Sequence, residues 1–408
     1  MSEWKKVKLG EICEITSSKR CHASERSSDG VPFYCSKEII QLDKGEVIHH
    51  CDYIPVDLYE NIKVKFGVPS TGDLLLTTRG TNGIPYIYKE SDYFYFADGN
   101  LSWFKNFTND TDVRFLYYWF KSHEGKHIID SIAKGTAQKA VPIEGLKNIE
   151  ILAPSYTIQH RIATILSRYD SLIENYQKQI KLFEEAAQRL YKEWFVDLHF
   201  PGHENTKIVD GVPEGWEKKK IAEICDTIGG GTPSTKNVAY YEGGTISWVT
   251  PTDITRNNCL CLLSTEKKIT KEGLDHSSAK LLPPETILMT SRASVGYFGI
   301  CDFEVCTNQG FISCIPFEKD YQMFLLYNLM NRVEEIRIKA GGSTYLEISK
   351  SVFRNLNIIY PSSSIACRFQ RKAHRILDSI KSLAKQIRLL TEARDRLLPK
   401  LMSGELVV

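Results

Sequence analysis

The chain has 408 residues, 42% of them hydrophobic and 25% charged, with a formal net charge of +2. That composition fits a soluble globular protein of two or more domains and excludes a disordered or fibrous chain. No apolar run approaches the roughly 18 residues of a membrane helix, and the start Met1-Ser2-Glu3-Trp4-Lys5-Lys6 has no apolar signal region, so a cytoplasmic protein with no membrane partner is expected.

The first segment, Trp4-Lys5-Lys6-Val7-Lys8-Leu9-Gly10-Glu11-Ile12-Cys13, returns as Trp216-Glu217-Lys218-Lys219-Lys220-Ile221-Ala222-Glu223-Ile224-Cys225, a spacing of 216 − 4 = 212 residues. A period this long exceeds the roughly 20–50 residues of solenoid repeats, so it marks two whole domains copied in one chain. Leu74-Leu75-Leu76-Thr77-Thr78-Arg79 answers to Ile287-Leu288-Met289-Thr290-Ser291-Arg292, each followed four residues later by glycine, Gly83 and Gly296. Both are predicted to be buried strands running into polar loops. Gly135-Thr136-Ala137-Gln138 and the stretch from Leu146 to Pro154 parallel Gly342-Ser343-Thr344-Tyr345 and the stretch from Phe353 to Pro361.

After each proline the pattern turns helical. Ile162, Ile165, Tyr169, Leu172, Tyr176, Ile180, Phe183, Ala187, Leu190 and Trp194 keep mostly alternating spacings of three and four, a coiled-coil seam with one local slip. Phe369, Ala373, Ile376, Ile380, Leu383, Ile387, Leu390, Leu397 and Leu401 repeat the rhythm, with Arg394 as the charged exception. Some 40 residues at about 1.5 Å each make a rod of roughly 60 Å, which needs partners along its length. Pro154-Ser155 and Pro361-Ser362 start these helices, and Phe200-Pro201-Gly202 and Gly404 stop them. The expected division is a first domain over 1–155, a helix over 156–200, a linker over 201–215, a second domain over 216–361 and a second helix over 362–408.

Catalytic signatures are missing. Gly229-Gly230-Gly231-Thr232-Pro233-Ser234-Thr235-Lys236 suggests a phosphate cradle, but Pro233 interrupts it and Lys236 comes last, where a phosphate loop needs Gly-Lys-Ser/Thr opening a helix. No dinucleotide fingerprint, amino-methyltransferase motif or nucleophile elbow is present. The eleven cysteines contain no Cys-x-x-Cys pair, so buried thiols are expected rather than disulfides, and no metal site. His49-His50 reads as a surface turn. What recurs instead is a polar loop set whose side chains suit base edges and phosphates. In the first copy the candidates are Lys19, Arg20, Ser36, Lys37, Thr78, Arg79, Thr81, Asn82, Gln138 and Lys139. In the second they are Thr232, Ser234, Lys236, Thr252, Ser291, Arg292, Asn308, Gln309, Ser343, Thr344 and Tyr345. Singly each is an ordinary turn former; Arg79 and Arg292 stand out because both end a strand at matching positions. The +2 charge is a counterargument to a simple DNA clamp, although the second helix leans positive through Arg368, Arg371, Lys372 and Arg375.

Taken together the chain resembles a specificity subunit of a Type I restriction-modification system over essentially its whole length. Gln188-Arg189-Leu190-Tyr191-Lys192-Glu193-Trp194-Phe195-Val196-Asp197, Val212-Pro213-Glu214-Gly215-Trp216 and the run from Arg394 to Leu406 carry the resemblance. It implies an α+β fold with two similar α/β target-recognition domains, separated by two long helices pairing as an antiparallel coiled coil in a pseudo-two-fold internal repeat. It also implies a non-catalytic role: each domain reads one half of an asymmetric, interrupted target in double-stranded DNA, and the helices set the gap. The implied partners are two methyltransferase subunits, which carry S-adenosylmethionine, and motor-nuclease subunits, which use ATP and Mg; this chain would bind no cofactor. Ile165, Tyr169, Leu190, Trp194, Phe195, Ile376, Ile380, Leu397 and Leu401 are the candidate spacer and partner-binding residues. A self-sufficient methyltransferase or nuclease, and a coiled-coil adaptor that binds only protein, remain as alternatives from other classes.

Overall fold

Strand Lys5–Lys8 pairs antiparallel with Glu150–Ala153, and Glu217–Lys220 pairs with Asn357–Tyr360 in the same way, Lys8 opposite Glu150 and Lys220 opposite Asn357. These pairs close the two copies, tying the start of each to its end. In this computed structural model, which describes residues 4–135, 139–342 and 345–408, the chain divides into one unit of residues 1–174 with 390–408 and another of residues 175–389.

Each unit holds the same two further sheets. In the first, a four-stranded antiparallel sheet runs in the order Glu14–Thr16, Leu101–Lys105, Leu74–Thr77, Pro85–Ile87. Its counterpart is Cys225–Gly229, Phe311–Pro316, Ile287–Thr290, Phe298–Gly299. The three-stranded sheets have Val31–Tyr34 and Ile246–Val249 at their centres, each with one antiparallel and one parallel neighbour. Leu74, Leu75 and Leu76 are all buried, as are Ile287, Leu288 and Met289, because a central strand is covered on both faces and tolerates a continuous apolar run.

Helices pack on the sheets through residues at helical spacing: Phe115, Leu116, Trp119 and Phe120 of the helix Val113–Lys121 join Leu74, Leu76 and Phe104 in one core. Asp112 caps this helix, its carboxylate accepting from Arg114 N. A buried glutamine pins each copy at the same place. Gln159 Oε1 accepts from Asp112 N at 3.1 Å and its Nε2 donates to Pro154 O at 2.9 Å, while Gln370 Oε1 accepts from Met323 N at 2.8 Å.

The long helices span Tyr156–Tyr191, continued by a π turn over Lys192–Val196, and Ser363–Met402. The first therefore ends short of 200 and the second short of 408, where the sequence placed them. The slip in the first seam is also absent. Leu172 is 37% exposed and Ile173 is buried instead, so Leu166, Ile173, Ile180, Ala187 and Trp194 recur every seventh residue, interleaved with Ile162, Tyr169, Tyr176, Phe183 and Leu190. In the second helix the inner positions are Ala366, Ala373, Ile380, Ile387, Arg394 and Leu401, interleaved with Gln370, Leu377, Ala384 and Leu398. Leu377 and Ala384 take the places that the sequence assigned to Ile376 and Leu383. In the first unit Ile162 and Leu166 share a core with Leu401 and Met402 while Asp170 meets Arg394, so the helices run antiparallel there.

The unit boundary falls inside both helices rather than at their ends. The physical cause is that the early turns of the first helix bury Ile162 and Leu166 in the first core, whereas Ile180, Ala187 and Trp194 lie in the second. Ile162, Leu166 and Ile180 each contribute roughly 1.5–3 kcal/mol of burial. In the second unit Trp194 and Phe195 meet Phe369, with ring centroids 5.9 and 5.0 Å apart. Arg394 is accommodated in the seam of the first unit because Asp170 Oδ1 accepts from its Nη1 at 2.6 Å and Asp170 Oδ2 accepts from Tyr118 OH at 2.5 Å.

Candidate nucleic-acid interface

The matching strands Leu74–Thr77 and Ile287–Thr290 end in the same backbone device. Gly83 N donates to Thr77 O at 2.7 Å and Ile84 N to Thr77 Oγ1 at 2.9 Å; Gly296 N donates to Thr290 O and Tyr297 N to Thr290 Oγ1, both at 2.9 Å. Gly83 and Gly296 have φ of +82° and +86°, and a Cβ on Gly296 would sit 2.8 Å from Val333 Cγ1, so only glycine fits this turn. The residues after the two arginines share a left-handed backbone, Gly80 at +82° and Ala293 at +61°. For alanine this costs about 1–2 kcal/mol, strain held at the rim of the loop set.

A second strand-like segment clamps each loop. Val141 N donates to Thr78 O at 2.9 Å and Gly80 N to Lys139 O at 3.4 Å; Ile348 N donates to Ser291 O at 3.0 Å and Ala293 N to Leu346 O at 2.8 Å. Arg79 bridges to Ala140 and Arg292 to Glu347. Across the strand end, Thr78 N donates to Asn100 O and Ser291 N to Gly310 O, both at 2.8 Å. Thr78 and Ser291 are thus buried behind the surface and hold the loop, leaving Arg79 and Arg292 exposed in front.

In the first unit Ser36 Oγ donates to Arg79 O and Asn100 O, both at 3.1 Å, and Asn82 Nδ2 donates to Lys139 O at 3.4 Å. Ser36, Thr78, Arg79, Asn82 and Lys139 therefore form one cluster, flanked by exposed Lys37 and Thr81. Lys19 and Arg20 join it through the 97–100 turn: Arg20 Nε pairs with Asp98 at 2.8 Å, Gly99 N donates to Ser17 Oγ, and Tyr95 OH accepts from Lys19 N at 2.7 Å. Burial pushes the Tyr95 phenol up to about 12, so it stays a neutral hydrogen-bonding post for this loop.

In the second unit Thr232, Arg292, Asn308, Gln309 and Tyr345 line one concavity of about 400 Å³ with Pro251, Ala293 and Gly310. Thr232 Oγ1 donates to Gln309 Oε1, Asn308 Oδ1 accepts from Gly310 N at 2.9 Å, and Arg292 Nε lies 3.5 Å from Glu347. Thr252 sits on the short helix Pro251–Thr255 beside it. Ser234 and Lys236 are exposed outside the concavity. The glycine run is no phosphate cradle. Gly231 N is spent on Thr307 O at 2.9 Å, Trp248 Nε1 and Tyr241 OH bind the carbonyls of Gly231 and Pro233, and only the three-residue turn Val238–Tyr240 follows. The glycines are there for close packing, since a Cβ on Gly230 would lie 2.1 Å from Asn308 O. Gln138, Ser343 and Thr344 lie outside the described residues.

Pro251, Ala293, Asp98 and Asn100 were missed in the sequence. The Gly80/Ala293 match, one residue beyond the paired arginines, was the available signal. The spacer candidates Trp194, Ile380 and Leu401 are buried in the cores of their own units, with Ile165, Leu190, Phe195, Ile376 and Leu397 packed against them and Tyr169 half-buried. The leucine side chains that these helices leave exposed are instead Leu172, Leu182 and Leu389. All eleven cysteines are unpaired thiols, seven of them buried, and burial pushes Cys13 and Cys301 up to about 12, well out of the reactive range. Among the described residues no helix is long and apolar enough to cross a membrane.

Two copies of one sheet-and-helix fold, each ending in an arginine-bearing loop set and each completed by stretches of two long helices, define a tandem recognition protein. The chain belongs to the family of the Type I restriction modification DNA specificity domain, whose family model matches residues 1–184 and again 213–397. It is 29% identical over 355 residues to the Type I restriction enzyme MjaIX specificity subunit of Methanocaldococcus jannaschii, covering 83% of this chain and 78% of that one. It is 24% identical to the HindI specificity subunit of Haemophilus influenzae across the whole of both chains. The S subunit of a Type I restriction-modification system from M. genitalium has the same fold, with a TM-score of 0.62 at 16% identity over 98% of this chain and 96% of that one. The α+β class, the internal repeat and the two long helices expected from the sequence are all present.

Proposed function

We propose that this chain is the non-catalytic subunit that selects the DNA target of a Type I restriction-modification complex, each copy reading one half of an interrupted, asymmetric site in double-stranded DNA. The observation that carries this reading is the recurrence of one loop set, with its clamped arginine, at the same strand end in both copies. Arg79 and Arg292 present guanidinium groups suited to guanine edges or phosphates, and Asn308 and Gln309 carry the amides that suit adenine. The exposed pairs of Arg20 with Asp98 and Arg292 with Glu347 are worth under about 1 kcal/mol each, so a phosphate displaces the carboxylate at little cost. Low overall charge is compatible with this, because each loop set carries its own cations and partners supply further basic surface.

In this reading the long helices fix the gap between half-sites and dock two methyltransferase subunits, which bring S-adenosylmethionine. Motor-nuclease subunits using ATP and Mg complete the cytoplasmic assembly. Requiring two half-sites at a fixed spacing multiplies specificity without new contacts in either. The test is methylation sequencing of DNA from cells expressing the chain with and without its methyltransferase subunit. Adenine methylation at a bipartite motif only when both are present supports the proposal. Methylation by this chain alone, or no motif with an active partner, overturns it.

A further inference from the structure

Tyr118 and Tyr327 occupy matching places, because Phe115-Leu116-Tyr117-Tyr118 aligns with Phe324-Leu325-Leu326-Tyr327. In the first unit the Tyr118 hydroxyl and the Arg394 guanidinium both serve Asp170. Glu392-Ala393-Arg394-Asp395-Arg396-Leu397 aligns in turn with Glu185-Ala186-Ala187-Gln188-Arg189-Leu190, so Ala187 stands where the arginine stood. The second unit lacks that cation and has Lys381 at the place of Asp170 in the register that matches Gln159 with Gln370, but it keeps the tyrosine and sets Glu184, three residues before Ala187, near it. Tyr327 is 2% exposed, and its hydroxyl has no hydrogen-bond partner among the described residues. Glu184 Oε1 accepts from Leu260 N at 2.8 Å, and no ion pair to Glu184 is found among the described residues.

These two groups line a single concavity of about 330 Å³, together with Gln188, Asn257, Tyr297 and Phe298. A carboxylate withdrawn from water without a counter-charge is costly; here burial raises the Glu184 carboxyl above its ordinary range, with the Leu260 amide opposing it. A buried hydroxyl without a partner adds about 1–3 kcal/mol. Both costs vanish if a cationic donor enters, and a planar guanidinium also suits the aromatic side chains of Tyr297 and Phe298.

We propose that this pocket is a receptor for a guanidinium group, the end of an arginine side chain presented by a protein that docks on the second unit. Glu184 and the Tyr327 oxygen accept its N–H groups, taking the guest where the first unit uses its own Arg394. In the first unit the matching helix position is filled from within by Arg394, paired with Asp170. Guanidinium binding at this pocket is independent of which DNA sequence the loops read.

Agmatine, which carries a guanidinium at one end of a short chain and an ammonium at the other, is the probe, and N-carbamoylputrescine, which keeps the ammonium and replaces the guanidinium by a neutral ureido group, is the control; both are titrated calorimetrically onto the full chain. Saturable agmatine binding is expected, about tenfold or more weaker for the ureido compound and for Glu184→Gln and Tyr327→Phe. The amide introduced by Glu184→Gln keeps an acceptor for Leu260 N, and removing an uncompensated charge leaves the variant at least as thermally stable as the parent, so loss of binding is not loss of fold. Equal binding of the two probes, or undiminished binding by the Glu184→Gln variant, overturns the proposal. In the assembled complex, a methyltransferase association that weakens in the variant and is competed by agmatine identifies a partner arginine as the guest. Association that is untouched while agmatine binds shows the same receptor serving a free guanidine. The methylated DNA motif is unchanged in either case, so failure here and failure of the DNA-reading proposal are told apart.

Discussion

Arg394 is the one charged residue in its seam, and its removal separates the reasons for its presence. The side chains of Arg394 and Asp170 keep 24% and 28% of their exposure, so the roughly 3–5 kcal/mol for breaking a fully buried pair is reduced by solvent to about 2–3 kcal/mol. Arg394→Met retains the aliphatic stem and removes only the charge. It leaves Asp170 with the Tyr118 hydroxyl as its one partner from this triad, and burial together with the Asp170 charge already pushes that phenol up. The triple variant Arg394→Met, Asp170→Leu, Tyr118→Phe removes every polar atom of the triad at once and is expected to return to within about 1 kcal/mol of the parent. Urea unfolding followed by tryptophan fluorescence, fitted as two steps for the two units, measures both. A loss under about 0.5 kcal/mol for the single variant, or a triple variant as unstable as the single one, would refute the reasoning.

Other outcomes follow from the same geometry. Arg79→Ala and Arg292→Ala are each expected to weaken DNA binding of the assembled complex by about 1–3 kcal/mol and to relax one half-site only; a uniform loss across sequences with a salt slope reduced by about one would assign them to phosphates instead. Gly230→Ala forces a Cβ to within 2.1–2.4 Å of Asn308 O, Thr307 O and Thr307 Oγ1, so DNA binding is expected to fall more than tenfold while far-ultraviolet circular dichroism stays native. Burial raises the Asp112 carboxyl, but Arg114 and His160 outweigh it and hold it below its ordinary value. Since the unfolded value is about 3.9, the group stabilises the fold above about pH 4 and that contribution is lost as the pH falls through the lower folded value. Asp112→Asn keeps a capping side chain, and its stability is expected to decline less steeply than the parent's below pH 4; parallel acid titrations would contradict the sign.

The repeat was legible because Trp4 and Trp216 open matching strands and because Leu74-Leu75-Leu76 and Ile287-Leu288-Met289 are continuous apolar runs, each leading into an arginine with glycine four residues on. The phase of the helical seam was not. Leu172 adjoins Ile173, Ile376 adjoins Leu377 and Leu383 adjoins Ala384, so two apolar neighbours compete for each inner position and periodicity alone cannot choose between them. The core chooses, by what stands opposite. The loop residues were legible as a set but not individually: Thr78 and Ser291 have the same chemistry as exposed Thr81 and Ser234, and only the strand-end hydrogen bonds put the first two behind the surface. Glu184 gave no sign at all, since a helical glutamate is ordinarily solvated and its isolation depends on Leu260 and Tyr327, far away in sequence.

The first unit is assembled from two stretches of chain, residues 1–174 and 390–408, with the whole second unit between them. Leu401 and Met402 are fully part of its core, so a ribosome that has made residue 174 has not yet made what the unit needs. At about 5–20 residues per second, the wait is roughly 10–40 s. During it, Ile162 and Leu166 have no Leu401 to cover them, while the second unit already holds every residue it requires once 389 has emerged. Birth order is thereby reversed: the copy that is translated second is the first that can be finished, and the copy that begins the chain depends on the helix that comes last.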